Sequence, residues 1–432
     1  MSEGRDISRI KGFADLFPPE STAFTRMEAC GREIFGRYGF AELRTPLLEF
    51  TGLFQRSIGA ETDVVQKEMY TFPDRKGRSM TLRPEATAGV MRACIEAGLA
   101  DGRSGGPHRF FTMGPMFRYE RPQKGRMRQF HQINCECLGT ESPFADAELI
   151  AMLWRFLREL GIRDLTLKLN SLGCAKCRPA YMEALRQYLA NVDETALCED
   201  CRRRRQSNPL RVLDCKHEGC RTLTEAAPRL IDHNCPDCKR HFDTVLELLT
   251  QQGIKPQIDH RLVRGLDYYC RTTFEVVSNH IGAQTAVAGG GRYDGLTAQL
   301  GGPDAPGVGF ACGMERLALL LPDAEPAVPD CFLMAPGETG REQAFALAEA
   351  LRKEGLACVL EYSGGTFKSL MRKAAKSGAR YCCIIGPDEA AEGRVSLRDM
   401  TSGHQEIIWQ SAAPKKLKKL CAFEHTLMNN NG

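Results

Sequence analysis

Arg118, Arg121, Lys124, Arg126 and Arg128 put five cations within eleven residues, and Glu120 is the one acid among them. Arginine offers a planar fork that matches phosphate oxygens two at a time, so this composition suits a polyanion. Pro122 and Gly125 mark a turn, after which Phe130, Gln132, Asn134 and Glu136 alternate with His131, Ile133, Cys135 and Cys137. That period of two predicts a strand with Gln132 and Glu136 on one face. An uncharged and an anionic group placed there suit a ligand carrying an amine or an imidazole. A solvated basic hairpin would account for the cations alone. It would not account for a returning strand that is polar on one face.

Other stretches carry the same kind of chemistry. Arg264-Gly-Leu-Asp-Tyr-Tyr269 joins a cation to two phenols and suits a charged small ligand. Ala288-Gly-Gly-Gly-Arg-Tyr-Asp-Gly-Leu296 must bring backbone close to something, although a glycine run by itself points only weakly to phosphate. Gly307–Leu320 reads as a glycine-rich strand feeding a helix, with Arg316 in the helix's first turns, where it can reach a phosphate. In Thr81-Leu-Arg-Pro-Glu-Ala-Thr87, Glu85 lies at a helix start, either as an acid favouring that terminus or facing a ligand amine.

Eight of the nineteen cysteines fall between 174 and 238, as Cys174/Cys177, Cys198/Cys201, Cys215/Cys220 and Cys235/Cys238. Such spacing lets two thiolates reach one tetrahedral ion, so four pairs can make two zinc sites, with the combination of pairs left open. His217 and His233 are alternative ligands, and buried free thiols are the plain alternative. Arg202–Arg205, beside Cys201, reads either as a solvated face or as a nucleic-acid backbone contact.

The elements that must position these residues follow from periodicity and turn residues. Helices are expected over 19–38 (ended by Gly39), 87–98, 144–160 and 239–252. A Pro46-interrupted strand is expected over Phe40–Glu49, a hairpin over 68–83 with its turn at Asp74–Gly77, and strands over Leu165–Asn170 and Thr272–Val277. Pro322–Pro329 reads as a linker. Residues 330–425 alternate strands (Cys331–Ala335, Leu356–Leu360, Tyr381–Ile385) with helices (340–354 and a basic 366–377) and end in two more strands, an α/β pattern. The basic helix serves RNA or simply solubility.

With 432 residues the chain is long enough for about two or three domains. Its net charge of +4 is too small to prove a nucleic-acid partner, so local clusters carry that argument. No apolar stretch follows the first Met, and no segment is long and apolar enough to span a membrane, so the protein is expected in the cytoplasm. Nineteen cysteines, an odd number in a reducing compartment, argue for metal or free thiols rather than disulfides.

The combination resembles the histidine–tRNA ligase family of class II aminoacyl-tRNA synthetases over essentially the whole chain. Phe117–Gly139 is similar to the family's motif 2 and Gly307–Leu320 to its motif 3. Leu262-Val-Arg-Gly-Leu-Asp-Tyr-Tyr269 and Ala288-Gly-Gly-Gly-Arg-Tyr-Asp294 resemble its two histidine signatures, and Thr45-Pro46 sits where motif 1 makes a dimer. The resemblance implies an α+β catalytic domain, an antiparallel sheet flanked by helices, with a Cys-rich insertion and a C-terminal α/β anticodon-binding domain. Its divisions would be 1–171 and 241–324 for the catalytic domain, 172–240 for the insertion and 325–432 for the anticodon-binding domain.

The implied activity is ATP-dependent attachment of L-histidine to tRNA(His) through histidyl-adenylate, in a homodimer with no membrane partner and with ATP carried by Mg2+. By resemblance Arg118 and Arg264 are catalytic. Glu85, Thr87, Gln132, Glu136, Tyr268 and Tyr269 line the histidine site with those two arginines. Arg118, Glu120, Arg126 and Arg316 hold ATP, and Arg121 and Gln123 meet the tRNA acceptor end. A structural Zn2+ on the eight cysteines is a feature of this chain to which the resemblance assigns no role. Ala86 and Cys270 depart from the usual Gly and Thr. The rival is a non-catalytic, synthetase-like regulatory or RNA-binding paralogue, such as the regulatory subunit of ATP phosphoribosyltransferase. In the regulatory subunits the signatures are eroded and the anticodon-binding domain is missing.

Overall fold

The computed structural model describes residues 7–59, 62–102, 105–281, 285–322 and 328–429. The chain forms two compact units, 1–324 and 325–432. Most of the expected linker at Pro322–Pro329, namely 323–327, lies outside the described residues.

The first unit is built on an eight-stranded sheet. In spatial order its strands are Ala41–Glu42, His108–Phe117, Gln129–Leu138, Gly307–Gly313, Ala286–Arg292, Cys270–Ser278, Leu165–Ser171 and Gln257–Ile258. The six central strands pair antiparallel, and the short strand at each edge pairs parallel. The strands of the Arg-rich hairpin are second and third in that order: Phe117 pairs with Gln129, and the register runs unbroken to His108 opposite Leu138.

Helices cover the sheet through their apolar stripes. Glu20–Arg37 buries Phe24, Met27, Ile34 and Phe35 at helical spacing, and Gly39 turns the chain out of it at φ +76°. In Pro143–Glu159, Ser142 caps the first turn by accepting from the Phe144 N–H, and Leu149, Ile150, Leu153, Phe156 and Leu157 enter the core. Pro236–Gln251 packs beside it, with His241 Nε2 3.1 Å from Asp146 Oδ1.

The expected strand Phe40–Glu49 is two short strands on different sheets. Ala41–Glu42 forms one edge of the main sheet, and Leu48–Phe50 joins a three-stranded sheet with Ser79–Leu82 and Tyr70–Pro73. Pro46 lies in the break, where a residue without an N–H cannot continue a ladder. Arg83 bridges the two sheets. Its guanidinium donates to the Thr45 carbonyl (3.1 Å), Thr45 Oγ1 (3.0 Å) and the Pro115 carbonyl (2.9 Å). Its backbone accepts from the Phe117 N–H at 3.0 Å.

Residues 172–240 fold mainly as short helices, the longest being Arg178–Ala190 and Glu199–Ser207. Arg203, Arg204 and Arg205 are drawn into local structure. Arg204 pairs with Asp63 at 2.9 Å, Arg203 with Asp200 at 3.3 Å, and Arg205 donates to the Ala190 and Val192 carbonyls.

The second unit is a five-stranded sheet in the order Cys358–Leu360, Cys331–Met334, Tyr381–Ile384, Arg394–Asp399 and Gln405–Trp409. The first three are parallel and the last two antiparallel. The basic helix Phe367–Ser377 starts at Thr366, whose side chain accepts from the Ser369 N–H. Its Lys373 pairs with Glu361 at 2.8 Å, holding that carboxyl down to about 2.

Candidate active site

The hairpin delivers Arg118 directly after its first strand ends. The guanidinium donates to the Pro84 carbonyl at 2.9 Å and lies 5.4 Å from the centre of the Phe130 ring. Arg264 reaches the same space from the segment before Cys270–Ser278, where it forms an ion pair with Glu275 and stands 5.8 Å from the centre of the Tyr269 ring. Glu275 is opposite Gly289 in the ladder, and a Cβ on Gly289 would fall 2.5–2.7 Å from the Arg264 guanidinium. The glycine run thus makes room for one of the chain's own side chains.

Arg316 donates to the Gly125 carbonyl (3.2 Å) and the Ala286 carbonyl (2.7 Å), tying the hairpin loop to the sheet. Arg126 pairs with Glu120. Arg118, Arg126, Arg264 and Arg316 surround an open cavity of about 190 Å³, with Gln132 and Glu315 also on its wall. Burial lowers the pKa of Arg118, Arg126 and Arg316, and a neighbouring guanidinium pushes each the same way. Cations that are partly stripped of water and repel one another favour an anion in their midst. Gln132 Oε1 is buried with no hydrogen-bond partner among the described residues, an acceptor that a ligand donor would satisfy.

A second group, buried and polar, adjoins this cavity through Arg118 and Tyr269. Glu136 accepts from Thr87 Oγ1 at 2.6 Å on one carboxylate oxygen and from the Tyr293 hydroxyl on the other. Burial raises its pKa to about 8, against the pull of these two donors and with help from Glu85. Gly309 faces Glu136 in the ladder, and a Cβ there would fall 1.7 Å from Glu136 Oε2. Tyr268 and Tyr269 lie with ring centres 4.6 Å apart, and Tyr268 meets Tyr293 edge-on at 5.7 Å.

Glu85 accepts from the Thr87 N–H (2.6 Å) and the Ala88 N–H (2.9 Å), so both its oxygens are engaged at the start of the helix Thr87–Glu96. Ala86 is buried beside it, and the Cys270 sulfur accepts from the Asp294 N–H at 3.4 Å. Arg121 and Gln123 lie on the hairpin loop away from the cavity wall, and Gln123 and Arg126 exchange backbone hydrogen bonds of 2.9 Å.

Glu275, Tyr293 and Glu315 join these residues without a local signal that marks their part: Tyr293 lies inside the glycine signature Ala288–Asp294, and Glu315 precedes Arg316. Both Glu315 oxygens accept from the His131 N–H at 2.9 Å, and Oε1 also lies 2.9 Å from His131 Nδ1. Glu275 alternates along its strand with the core residues Phe274 and Val276, and only its register opposite Gly289 shows its purpose. The pairing of cysteines also resolves. Cys174, Cys177, Cys235 and Cys238 form one cluster and Cys198, Cys201, Cys215 and Cys220 another, with His217 and His233 in neither.

The family model for histidyl-tRNA synthetase matches residues 12–317, and that for an anticodon binding domain matches 330–420. The histidine–tRNA ligase of Nitratidesulfovibrio vulgaris strain DP4 is 62% identical over 411 residues, spanning 95% of this chain and 98% of that protein. The histidine–tRNA ligase of Oleidesulfovibrio alaskensis is 57% identical over 412 residues, with the same coverage. The crystal structure of apo Staphylococcus aureus histidyl-tRNA synthetase superposes with a TM-score of 0.80 at 34% identity, covering 95% of this chain and all of that one. Over nearly its full length, therefore, the chain belongs to the histidyl-tRNA synthetase family of class II aminoacyl-tRNA synthetases.

Proposed function

We propose that the arginine-lined cavity takes ATP as its magnesium complex and that the adjoining Glu136 group takes the histidine side chain. The protein is a histidine–tRNA ligase: it joins L-histidine to tRNA(His) through histidyl-adenylate, releasing diphosphate and then AMP. In the first step a histidine carboxylate oxygen bonds to the α-phosphorus, and the bond to the bridging oxygen of diphosphate breaks with its electron pair. In the second, a ribose hydroxyl oxygen of the tRNA end bonds to the histidyl carbonyl carbon, the bond from that carbon to the phosphate oxygen breaks with its electron pair, and AMP leaves as the hydroxyl proton passes to its phosphate.

Negative charge gathers on the α-phosphoryl oxygens in the first step, and fixed guanidinium groups are suited to it. Arg118 and Arg264 are assigned that role. Their anchors, the Pro84 carbonyl for Arg118 and Glu275 for Arg264, mean that little reorganisation is needed as the charge develops. Arg126 and Arg316 are assigned the distal phosphates. Glu120 and Glu315 offer carboxylate oxygens at the cavity, the ligand type magnesium prefers. Gln132 Oε1 is assigned the amine of histidine, and Glu136, with Thr87, Tyr268 and Tyr269, the imidazole. Glu85 acts by holding the helix that carries Thr87. Arg121 and Gln123 are placed at the tRNA acceptor end, the turn at Thr45-Pro46 at a homodimer contact, and the protein in the cytoplasm. A structural zinc is assigned to the cysteine-rich insertion.

The observation that carries the site reading is the convergence of Arg118 and Arg264, 146 positions apart in the sequence, on one cavity beside an unsatisfied Gln132 oxygen. The regulatory-subunit rival is expected to lack a C-terminal anticodon-binding domain, whereas residues 330–420 match one here, and the intact Arg118, Arg264 and Arg316 speak against an RNA-binding paralogue without activity. Histidine-dependent ATP–diphosphate exchange by Arg264→Ala is the test. A fall on the order of a hundredfold or more with an unchanged melting profile is expected. Near-normal exchange would remove Arg264 from the mechanism.

A further inference from the structure

We propose that the insertion carries two separate four-thiolate zinc sites and that each pins one end of the Arg264–Arg271 segment, so that metal binding holds the active site in shape. The pinning builds on the roles assigned above to Arg264 and Tyr269. The metal sites stand on geometry alone.

Each cluster contributes four sulfurs that lie within 4.8 Å of one another. In the first, Cys174 and Cys177 are 3.7 Å apart, Cys174 and Cys235 3.8 Å, and Cys177 and Cys238 3.8 Å. In the second, Cys198 and Cys215 are 3.8 Å apart. Four sulfurs placed about 2.3 Å from a central zinc span tetrahedral edges of about 3.8 Å, so these spacings fit the ion. They are far from the roughly 2.0 Å of a covalent S–S bond, and all eight cysteines are free.

Backbone N–H groups point at the sulfurs, as a thiolate requires. Cys174 donates to Cys177 Sγ at 3.1 Å, Cys198 to Cys220 Sγ at 3.2 Å, and His217 to Cys215 Sγ at 3.4 Å. Gly173, at φ +61°, is needed where the first site closes, because a Cβ there would meet Cys177 Sγ at 2.8 Å. The sites are nested, since the pairs of the second lie in sequence between the pairs of the first.

The first site grips the far end of the segment. Arg178, directly after Cys177, donates from its guanidinium to the Tyr269 carbonyl and to the Leu172 carbonyl at 3.2 Å. The Arg271 N–H donates to the Gly173 carbonyl at 2.8 Å, and the Leu172 N–H to the Arg271 carbonyl at 2.6 Å. Arg271 has φ +45°, a conformation a non-glycine residue holds only when its surroundings enforce it. The second site grips the near end. Its Cys201 sits in the helix Glu199–Ser207, and the chain just beyond sends Arg211 Nη1 to the Arg264 carbonyl at 2.9 Å and Asn208 Nδ2 to Asp267 Oδ1 at 3.1 Å. Between the grips, Tyr181, Leu185, Val212 and Leu213 of the insertion share one buried cluster with Val263, Tyr268 and Tyr269.

The experiment is metal analysis of the full-length protein purified under reducing conditions, paired with amide hydrogen exchange. Two zinc ions per chain are expected, with one lost in Cys235→Ser and the other in Cys198→Ser. One zinc or less per chain in the unaltered protein, or iron in its place, would overturn the pair of zinc sites. Removing zinc with a chelator and restoring it avoids reliance on variants that fail to fold. Chelation should speed exchange across 262–271 at least tenfold, and added zinc should reverse this. Unchanged exchange after zinc removal would overturn the pinning while leaving the sites standing. Arg264→Ala should retain both zinc ions, so an error in the catalytic assignment would appear as normal diphosphate exchange at full zinc content.

Discussion

The Arg264 guanidinium occupies the space in which a side chain on Gly289 would begin, 2.5 Å from the nearest of its nitrogens. The glycine run of the second histidine signature is therefore part of the first signature's geometry. Gly289→Ala should displace Arg264 from Glu275 and cut histidine-dependent ATP–diphosphate exchange on the order of a hundredfold, the usual consequence of moving a positioning group by about 1 Å. The check is exchange kinetics alongside a thermal melt that shows the sheet intact.

Tyr293 and Glu136 provide a test of amino-acid recognition. Tyr293→Phe removes the hydroxyl that donates to Glu136. A hydrogen bond to a carboxyl that holds its proton contributes about 0.5–1.5 kcal/mol, so KM for histidine should rise roughly two- to tenfold. KM for ATP should stay within about twofold if the two pockets are distinct. Steady-state exchange with each substrate varied in turn separates the two effects.

Glu136 also gives a pH signature. Its pKa is raised from the ordinary 4.5 to about 8, so between these values the native state holds a proton that the unfolded chain has released. The stability this contributes is complete below about 4.5 and is lost as pH rises through about 8. Glu136→Gln cannot ionise and should lack this decline. Urea unfolding of both proteins across that window should show the unaltered protein losing ground to the variant as pH rises.

Arg292 and Asp146 form an ion pair with both side chains fully buried, and Arg292 also donates to the Thr140 carbonyl at 2.7 Å and pairs with Asp294 at 3.0 Å. Asp146→Ala should cost about 3–5 kcal/mol of unfolding free energy, because it leaves a buried guanidinium without its main partner. Adding Arg292→Met should recover part of that loss. Denaturant titration of the two single variants and the double variant measures the coupling.

Much of this architecture was legible in residue order, for reasons specific to each element. The helix Glu20–Arg37 followed from apolar residues at helical spacing ahead of Gly39, and the strand Gln129–Leu138 from strict alternation. Motif-sized clusters also named most of the charged groups that meet at the cavity. Long-range register was not legible. Nothing local to Glu275 or Gly309 shows that one faces Gly289 and the other Glu136, because those pairings belong to strands joined only in the folded sheet. The break at Pro46 was visible, but not that the chain changes sheets there, which depends on partners far along the sequence. Spacing alone left the four cysteine pairs uncombined, and their sorting into two nested clusters needed the insertion's helices.

Arg83 ends as more than a bridge between two sheets. It holds the Thr45 turn with its side chain and Phe117, the last residue of the hairpin's first strand, with its backbone, and the next residue, Pro84, holds Arg118. The Thr45 turn and Arg118 are therefore linked through one side chain and one peptide unit. Thr45 at the break between the two sheets and Arg118 at the cavity are thus neighbours in one short chain of hydrogen bonds, although 73 positions separate them in the sequence.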